Sequence, residues 1–400
     1  MFTFGSVPIV NREAVSIPKI EYSFRIQPHN ILVTPEPGKI SPESMSWGEF
    51  HNGVAAALRI AANAHGVESS WIAFNKPGEL SPEHAGFLLG LGLTGHLKAL
   101  MTWHTFSYLT PKHDPTSIGL LLGMAAANVG TGNPHITKLL AVHTPALLPT
   151  QDVDLNIPLI TQAAGVAGVG LLYLGTKNRR MAEVCLHQIS RRDLVQPDLS
   201  NEHREAYTYA SALAFGMIML GKGTIIPVDL DLIKRLSILI HGNTNATLGR
   251  ETFDINLTSP AASMALGLVY LRTGRKDIAD ILSIPETVVE LNSIQPTFLL
   301  IRTIARSLIM WEGISPNNEW IANQIPRSIR DALASRQKSG NPIDDSMDLA
   351  YYNIIAGCCF VIGLKYAGTA RQEAYQLIVK QFDLFSRLSY ATGKILKSNF

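Results

Sequence analysis

Residues 90–95 read Gly90-Leu91-Gly92-Leu93-Thr94-Gly95, the G-x-G-x-x-G spacing with which dinucleotide-binding turns bring backbone amides against a pyrophosphate. That chemistry needs a strand before the turn, a helix after it, and an acidic residue about 20 positions on, and Asp114 stands near that distance. Four histidines, His84, His96, His104 and His113, fall in the same region and are of metal-ligand type. No H-E-x-x-H or Cys/His spacing joins them, so ordinary hydrogen-bonded histidines are expected. Ser117, Ser211 and Ser263 lack the G-x-S-x-G elbow that exposes a nucleophile. The densest cationic stretch is Lys177, Arg179 and Arg180 with Arg191 and Arg192, flanking one amphipathic segment. Clustered like charge in a chain with only 16% charged residues is a candidate docking patch for an acidic partner surface.

The composition narrows the alternatives. Charged residues fall well below the roughly 25% of an ordinary soluble domain while 46% of residues are hydrophobic, so much of the surface is expected to be covered, inside the fold or by partners. A formal net charge of +2 gives no pull towards nucleic acid or anionic lipid. Cys185, Cys358 and Cys359 form no spaced framework and read as reduced core residues of a nuclear or cytoplasmic protein. The start, MFTFGSVPIVNREAV, has no basic segment leading into an apolar one, so secretion is not expected, and the Asn-x-Thr triplets at Asn245 and Asn256 are chance. Residues 115–137 and 155–176 carry no charge over the length of a bilayer span, but GTGNP and LNIPLIT interrupt them, which favours buried helices.

What the glycines do elsewhere decides the meaning of Gly90–Gly95. A unit with a small residue, a Gly or other residue four later and a Gly at the eleventh position recurs as GLLLGMAAANVGT from Gly119, AGVAGVGLLYLGT from Ala164, ALAFGMIMLGKGT from Ala212 and SMALGLVYLRTGR from Ser263. GCCFVIGLKYAGT from Gly357 and two looser copies, from Ala55 and His84, extend the series, so GLGLTG is the tail of one repeat. At about 100° per residue, positions 0, 4, 7 and 11 fall within roughly 60° of one another on a helix. Gly123, Gly168, Gly216 and Gly267 then lie on a stripe of small residues, where close backbone approach offsets the roughly 1 kcal/mol that a helix-interior glycine costs.

The glycines that end each unit, Gly95, Gly130, Gly175, Gly223, Gly274 and Gly368, together with Gly66, are expected to be left-handed C′ caps. Each is followed by a second helix signal: Asn133-Pro134 before HITKLLAVHTPALL, Asn178 before RRMAEVCLHQI, KDIADIL after Gly274, and ARQEAYQLIVKQFDLF after Gly368. The gap between Gly274 and Gly368 has room for one degenerate copy, FLLIRTIARSLIMWEGI, ending near Gly313. The expected fold is an all-α solenoid of about eight helical hairpins, tightly curved on its small-residue side. Residues 1–46 form a flank with short strands around EYSFRI and NILVT, 47–370 the solenoid, and 371–400 a closing helix. Within the solenoid, the insertion 224–260 is expected to carry minor β structure around Phe253, Ile255 and Leu257, and 335–346 to form an exposed loop.

These units resemble proteasome/cyclosome repeats, found in the two large non-ATPase subunits of the proteasome regulatory particle and in the largest subunit of the anaphase-promoting complex. The likeness is nearest to the last of these. It rests on HNGVAAALRIA, HAGFLLGLGLTGHLKAL, TSIGLLLGMAAANVGTGN, HTPALLP, GLLYLGTKNRRMAEV and LLIRTIARSLIMWEGI, in that order. The resemblance implies a helical toroid in a scaffold subunit of a multi-subunit ubiquitin ligase that controls mitotic exit. It places the domain beside the substrate-recognition module, a coactivator and a small β-sandwich subunit. It implies no catalytic residue, cofactor, metal or small-molecule substrate, and no nucleic-acid or membrane partner. The alternatives are a repeat scaffold of the proteasome regulatory particle and, more remotely, a nucleotide-binding enzyme using Gly90–Gly95.

Overall fold

The computed structural model describes residues 7–9, 14–36, 38–148, 155–191, 200–225, 231–242, 253–339 and 345–392. They fall into two compact units, residues 1–188 with 196–218, and residues 189–195 with 219–400.

The first unit begins with the strands β1 (Val7–Ile9), β2 (Phe24–Ile26) and β3 (Ile31–Val33). β2 and β3 are the short strands expected around EYSFRI and NILVT, and they pair antiparallel in register Phe24 to Val33. Then follow α1 (Pro42–Leu58), strand β4 (Ile60–His65), α2 (Ser69–Phe74), α3 (Pro82–Leu93), α4 (Thr102–Leu109) and α5 (Asp114–Ala127). α6 (Pro134–Val142), α7 (Leu159–Leu172), α8 (Arg179–Gln188) and α9 (Asn201–Ile218) complete the unit. Ile60–His65, expected to continue the first helix, is instead a strand paired in parallel with β1, and Gly66 turns the chain after a strand rather than capping a helix. Alanine-rich sequence tolerates the strand because an edge partner supplies its hydrogen bonds.

In this unit the helices α1, α3, α5, α7 and α9 pack consecutively, each on the next. Sequence explains why they stack as a layer. α5 buries Thr116, Ser117, Ile118, Gly119, Leu120, Leu121, Gly123, Met124, Ala125 and Ala127, and α7 is similarly buried on nearly every side. Helices apolar all round have neighbours on more than one face, while the more amphipathic α6 and α8 cover them from one side. Neither 115–137 nor 155–176 is a continuous helix of bilayer length, since α5 and α7 run 14 residues each.

The second unit contains α10 (Leu232–His241), α11 (Ile255–Val269), α12 (Lys276–Ile281), α13 (Val288–Asn292) and α14 (Pro296–Ile309). α15 (Asn318–Gln324), α16 (Arg327–Ser339), α17 (Asp345–Tyr366) and α18 (Gln372–Thr392) follow. α11, α14 and α17 pack in succession, α10 lies on α11, and α18 on α17. With the five of the first unit, this makes eight core helices among the described residues, each followed by shorter covering elements. The insertion 224–260 corrects the β expectation: its described parts are helical, with α10 inside it and α11 beginning at Ile255, while 226–230 and 243–252 lie outside the described residues. Asp254 caps α11 by accepting from the Asn256 N–H at 2.9 Å, and Thr258 Oγ1 donates to the Leu239 carbonyl, so the Phe253-Ile255-Leu257 alternation starts a helix. The loop expected over 335–346 is likewise helical at 335–339 and 345–346, with 340–344 outside the described residues. α17 is long and apolar enough to cross a membrane by length and composition, but it packs on α14 and α18 and buries Ile354, Ile355, Cys358, Val361 and Ile362. The C-terminal segment 371–400 is helical over α18, and 393–400 lie outside the described residues.

Candidate functional site

The hexapeptide Gly90–Gly95 is the end of α3, so a helix precedes it where a nucleotide turn needs a strand. Its glycines are packing sites. A Cβ at Gly90 would lie 2.5 Å from the Ala57 Cβ of α1 and 2.8 Å from the Val54 carbonyl oxygen, and one at Gly92 would overlap the backbone of Gly123 in α5. The same closeness recurs along the layer. Gly53 and Gly86 interlock α1 with α3, each facing the other helix's backbone carbonyl, at Glu83 and Phe50. A Cβ at Gly170 would come within 2.5 Å of the Ala214 Cα, and one at Gly267 within 2.8 Å of the Ala305 Cα.

The position of the close contact within the repeat varies. Gly123 faces the Leu97 side chain at 2.8 Å and the Leu88 carbonyl oxygen at 2.9 Å, Gly168 faces the Leu140 side chain of α6 at 2.8 Å, and Gly216 is buried in α9. Side-chain neighbours can give where backbone cannot, so Gly168 is the less constrained of these.

Gly95, Gly130, Gly175, Gly274 and Gly368 all have positive φ. Gly223 does not, and Gly221 takes the left-handed role instead, because a Cβ at Gly223 would overlap the Tyr270 ring and leave that residue a packing function. Gly95 and Gly368 stand at C′, whereas Gly130 and Gly175 stand one residue further on. That displacement has a purpose the sequence does not show. The Gly130 and Gly132 N–H groups donate to the carbonyls of Leu171 and Leu172 at the end of α7, and those of Gly175 and Lys177 to Met217 and Ile218 of α9. In the second unit, Gly221 donates to Leu268 of α11, and Arg272 and Gly274 to Leu308 and Ile309 of α14. Each turn thus satisfies carbonyls that the last turn of the following core helix leaves without an intrahelical partner. At the last step a side chain takes over: the Lys365 ammonium of α17 donates to the carbonyls of Trp311, Glu312 and Ile314 beyond α14, at 2.9, 3.1 and 3.0 Å.

The histidines are distributed among separate structural bonds. Ser69 Oγ accepts from the Met101 N–H at 3.0 Å and shares a hydrogen bond with His104 Nδ1 at 2.7 Å, a nucleophile-and-base spacing that is buried and ties α2 to the start of α4. His84 lies 3.3 Å from the Tyr108 hydroxyl, which donates to the Ile72 carbonyl. Burial, helped by the Lys76 ammonium, pushes His84 down to about 4, so it is a neutral core group. His96 donates to the Ala61 carbonyl of β4, and His113 bonds Thr116 at the start of α5. Among the described residues, no group of three or more His, Cys, Asp or Glu is placed to hold a metal. Ser117, Ser211 and Ser263 are buried in core helices, and the last two donate to carbonyls four residues back. Burial pushes the Cys185 thiol up to about 12 and raises Cys358, as expected of inert core thiols.

The structure describes part of the cationic stretch: Arg179 and Arg180 open α8, Arg191 falls in the second unit, and Arg192 lies outside the described residues. Arg179 is paired with Glu183 at 2.8 Å, and Lys177 holds a positive φ in the turn. Sequence reasoning missed a more prominent surface. Trp103 and Phe106, three residues apart on α4, are 65% and 54% exposed, and Met101 just before α4 and Phe74 at the end of α2 are 57% and 61% exposed. The i, i+3 spacing places the two aromatics on one side of a helix whose opposite side buries His104, Thr105, Tyr108 and Leu109. On α18, Tyr375, Val379 and Phe382 form a second exposed stripe.

A family model described as the APC1 fifth domain matches residues 134–399, and one described as the APC1 fourth domain matches residues 1–129. The chain belongs to the APC1 family. A relative named negative regulator of mitosis, from Emericella nidulans, is 37% identical over 389 residues, covering 96% of this chain and 18% of that protein. Anaphase-promoting complex subunit 1 of Homo sapiens is 39% identical over 407 residues, covering 95% of this chain and 21% of its own length. The Schizosaccharomyces pombe protein of the same name is 38% identical over 397 residues, with 98% and 26% covered. The chain therefore spans about a fifth to a quarter of the length of these curated APC1 relatives.

Proposed function

We propose that this chain is a non-catalytic scaffold region of the anaphase-promoting complex, holding neighbouring subunits in position in mitosis. The observation that carries the reading is the alignment of nearly the whole chain with relatives named anaphase-promoting complex subunit 1. The geometry supports it. Histidine, serine and cysteine side chains of the kind that could do chemistry serve as helix ties or core filling, and the exposed features are aromatic and cationic side chains of docking type. The neighbours proposed are the small β-sandwich subunit and the coactivator, in nucleus and cytoplasm, with Trp103 and Phe106 as one contact surface and Lys177, Arg179, Arg180, Arg191 and Arg192 as another. Closure of the repeats into a ring belongs to the same proposal and is tested by small-angle scattering of the chain.

Co-expression of the chain with candidate subunits is the direct test. Retention of a subunit through size-exclusion chromatography, weakened by Trp103→Ala with Phe106→Ala, is the expected result, and failure to retain any subunit refutes the scaffold reading. Charge reversal at Arg179 and Arg180 that leaves binding unchanged at low and high salt removes the cationic patch alone. A nucleotide present at a hundred times its Kd would add about 2.7 kcal/mol to stability, so a flat thermal response to nucleotides is expected.

A further inference from the structure

In the second unit, α10, α11, α13 and α14 line an open cleft of about 370 Å³, within the range that holds a small ligand or a side chain of a partner. Its most unusual wall is Arg302, on the inner side of α14. This residue is only 5% exposed, yet its Nε has no hydrogen-bond partner, and no ion pair holds its guanidinium among the described residues. An arginine almost never goes inside without a carboxylate or a set of carbonyls to receive its fork of donors, because a buried, unpaired charge costs several kcal/mol. The rest of the wall has the character of an anion-recognition site. Ser259 and Ser283 contribute hydroxyls, the Ser293 hydroxyl donates to the Glu290 carbonyl at 2.7 Å, and Gln295 and Asn256 contribute amides, already bonded to each other at 3.2 Å. His241 Nε2 donates to the Ile281 carbonyl at 2.9 Å, while burial and the neighbouring Arg302 charge disfavour its charged form.

We propose that this cavity is an oxyanion pocket that receives a carboxylate through Arg302, the carboxylate being a side chain on an acidic segment of a bound subunit. A single guanidinium with no second cation in the wall among the described residues suits a monoanion, and the planar fork matches a carboxylate in bidentate fashion. A phosphoryl group carries close to two charges at neutral pH, and Glu290 in the same wall opposes so much negative charge. Glu290 is itself engaged, accepting from Thr287 Oγ1 at 2.6 Å. The electrostatics agree: burial lowers the pKa of Arg302, and burial followed by the Arg302 charge lowers that of His241, as expected of a cation without a counter-ion. The pocket's chemistry stands apart from the scaffold reading and rests on it only for the source of the carboxylate.

The test observes the guanidinium directly. The chain, labelled with 15N-arginine, is titrated at constant ionic strength with sodium acetate, N-acetylglutamate amide or inorganic phosphate, and compared with chloride. One Nε–Hε resonance, absent in Arg302→Lys, is expected to move saturably at roughly tenfold lower acetate or N-acetylglutamate amide than chloride concentration, the ratio a charge-assisted pair supplies. Glu290→Gln is expected to preserve or strengthen the response, and its loss in that variant overturns the assignment to Arg302. Phosphate acting more strongly than either carboxylate overturns the carboxylate assignment, and no anion acting beyond chloride overturns the pocket. Both outcomes are read on the isolated chain, so they are independent of whether any subunit co-purifies.

Discussion

Replacing Gly267 by alanine tests whether close helix contact is what the core glycines provide. The added Cβ would stand 2.8 Å from the Ala305 Cα, 2.9 Å from its Cβ and 3.0 Å from its carbonyl oxygen, so two of the three obstacles are backbone atoms that no rotamer change can move. Carbon atoms pack at about 3.5–4.0 Å, and α11 and α14 must therefore separate by roughly 1 Å, which forfeits a quarter to a half of the dispersion energy along the contact. Overpacking of this kind costs about 1–3 kcal/mol, against which the better helix propensity of alanine returns about 1 kcal/mol. The net expectation is a loss of up to about 2 kcal/mol, or up to roughly 8 °C in melting temperature for a unit of this size. Gly363→Ala in the same unit is the internal control. It also lies inside a core helix, but its Cβ would meet nothing nearer than the Ile378 Cδ1 at 4.0 Å, so only the propensity gain is left and the melting temperature is expected to rise by roughly 2–4 °C. Circular dichroism at 222 nm reads both. If Gly267→Ala melts at or above the parent, the close-contact argument fails, whatever Gly363→Ala does.

Gly168→Leu is expected to cost several kcal/mol, because its Cβ would already sit 2.8 Å from the Leu140 Cδ2 and 3.4 Å from the Ala125 Cβ; chemical denaturation with unchanged stability would contradict this. The folded chain holds His84 neutral down to about pH 4, whereas the unfolded chain protonates it near 6.5, so stability falls as pH drops through that window, by up to about 3 kcal/mol from this group. His84→Gln should flatten that part of the stability profile, and an NMR titration showing imidazolium at pH 6 would refute the burial argument. Iodoacetamide at pH 8 is expected to leave Cys185 and Cys358 unmodified in the native chain and to label all three cysteines in denaturant, as mass spectrometry would show.

Local chemistry was legible in the sequence, and long-range pairing was not. The turn from Gly130 to Pro134 could be read because its determinants are neighbours: a positive-φ glycine, and Asn133 accepting from the His135 N–H ahead of a proline. The seven-fold glycine series was legible for the same reason, since a small residue repeated at helical spacing carries its own cost and so its own explanation. β4 was not legible, because Ile60–His65 is alanine-rich and what makes it a strand is β1, some fifty residues away. The start of α11 misled in the opposite direction: Phe253, Ile255 and Leu257 alternate as in a strand and Pro260 argues against a helix, yet the Asp254 cap and the burial of Ala261, Ala262, Ala265 and Leu266 outweigh both. At the candidate sites, Trp103, Phe106 and Arg302 were overlooked because an aromatic or an arginine on a helix looks the same in sequence whether it faces water or the interior. Their position is set by the helices on either side.

The hydrogen bonds from the turns at Gly130, Gly175, Gly221 and Gly274 to the end of the following core helix have a direction, and that direction matters while the chain is being made. Gly130 and Gly132 are synthesised some forty residues before Leu171 and Leu172, and Gly175 and Lys177 a similar length before Met217 and Ile218. A turn leaving the ribosome therefore carries donors whose acceptors do not yet exist, and at about 5–20 residues per second it waits several seconds for them. Growth is like a zip in which each tooth is cut before the one it engages. The most recently made hairpin is always the one whose turn is unlatched, and a stop or a stall inside the array leaves that hairpin as the point where quality-control factors find loose backbone.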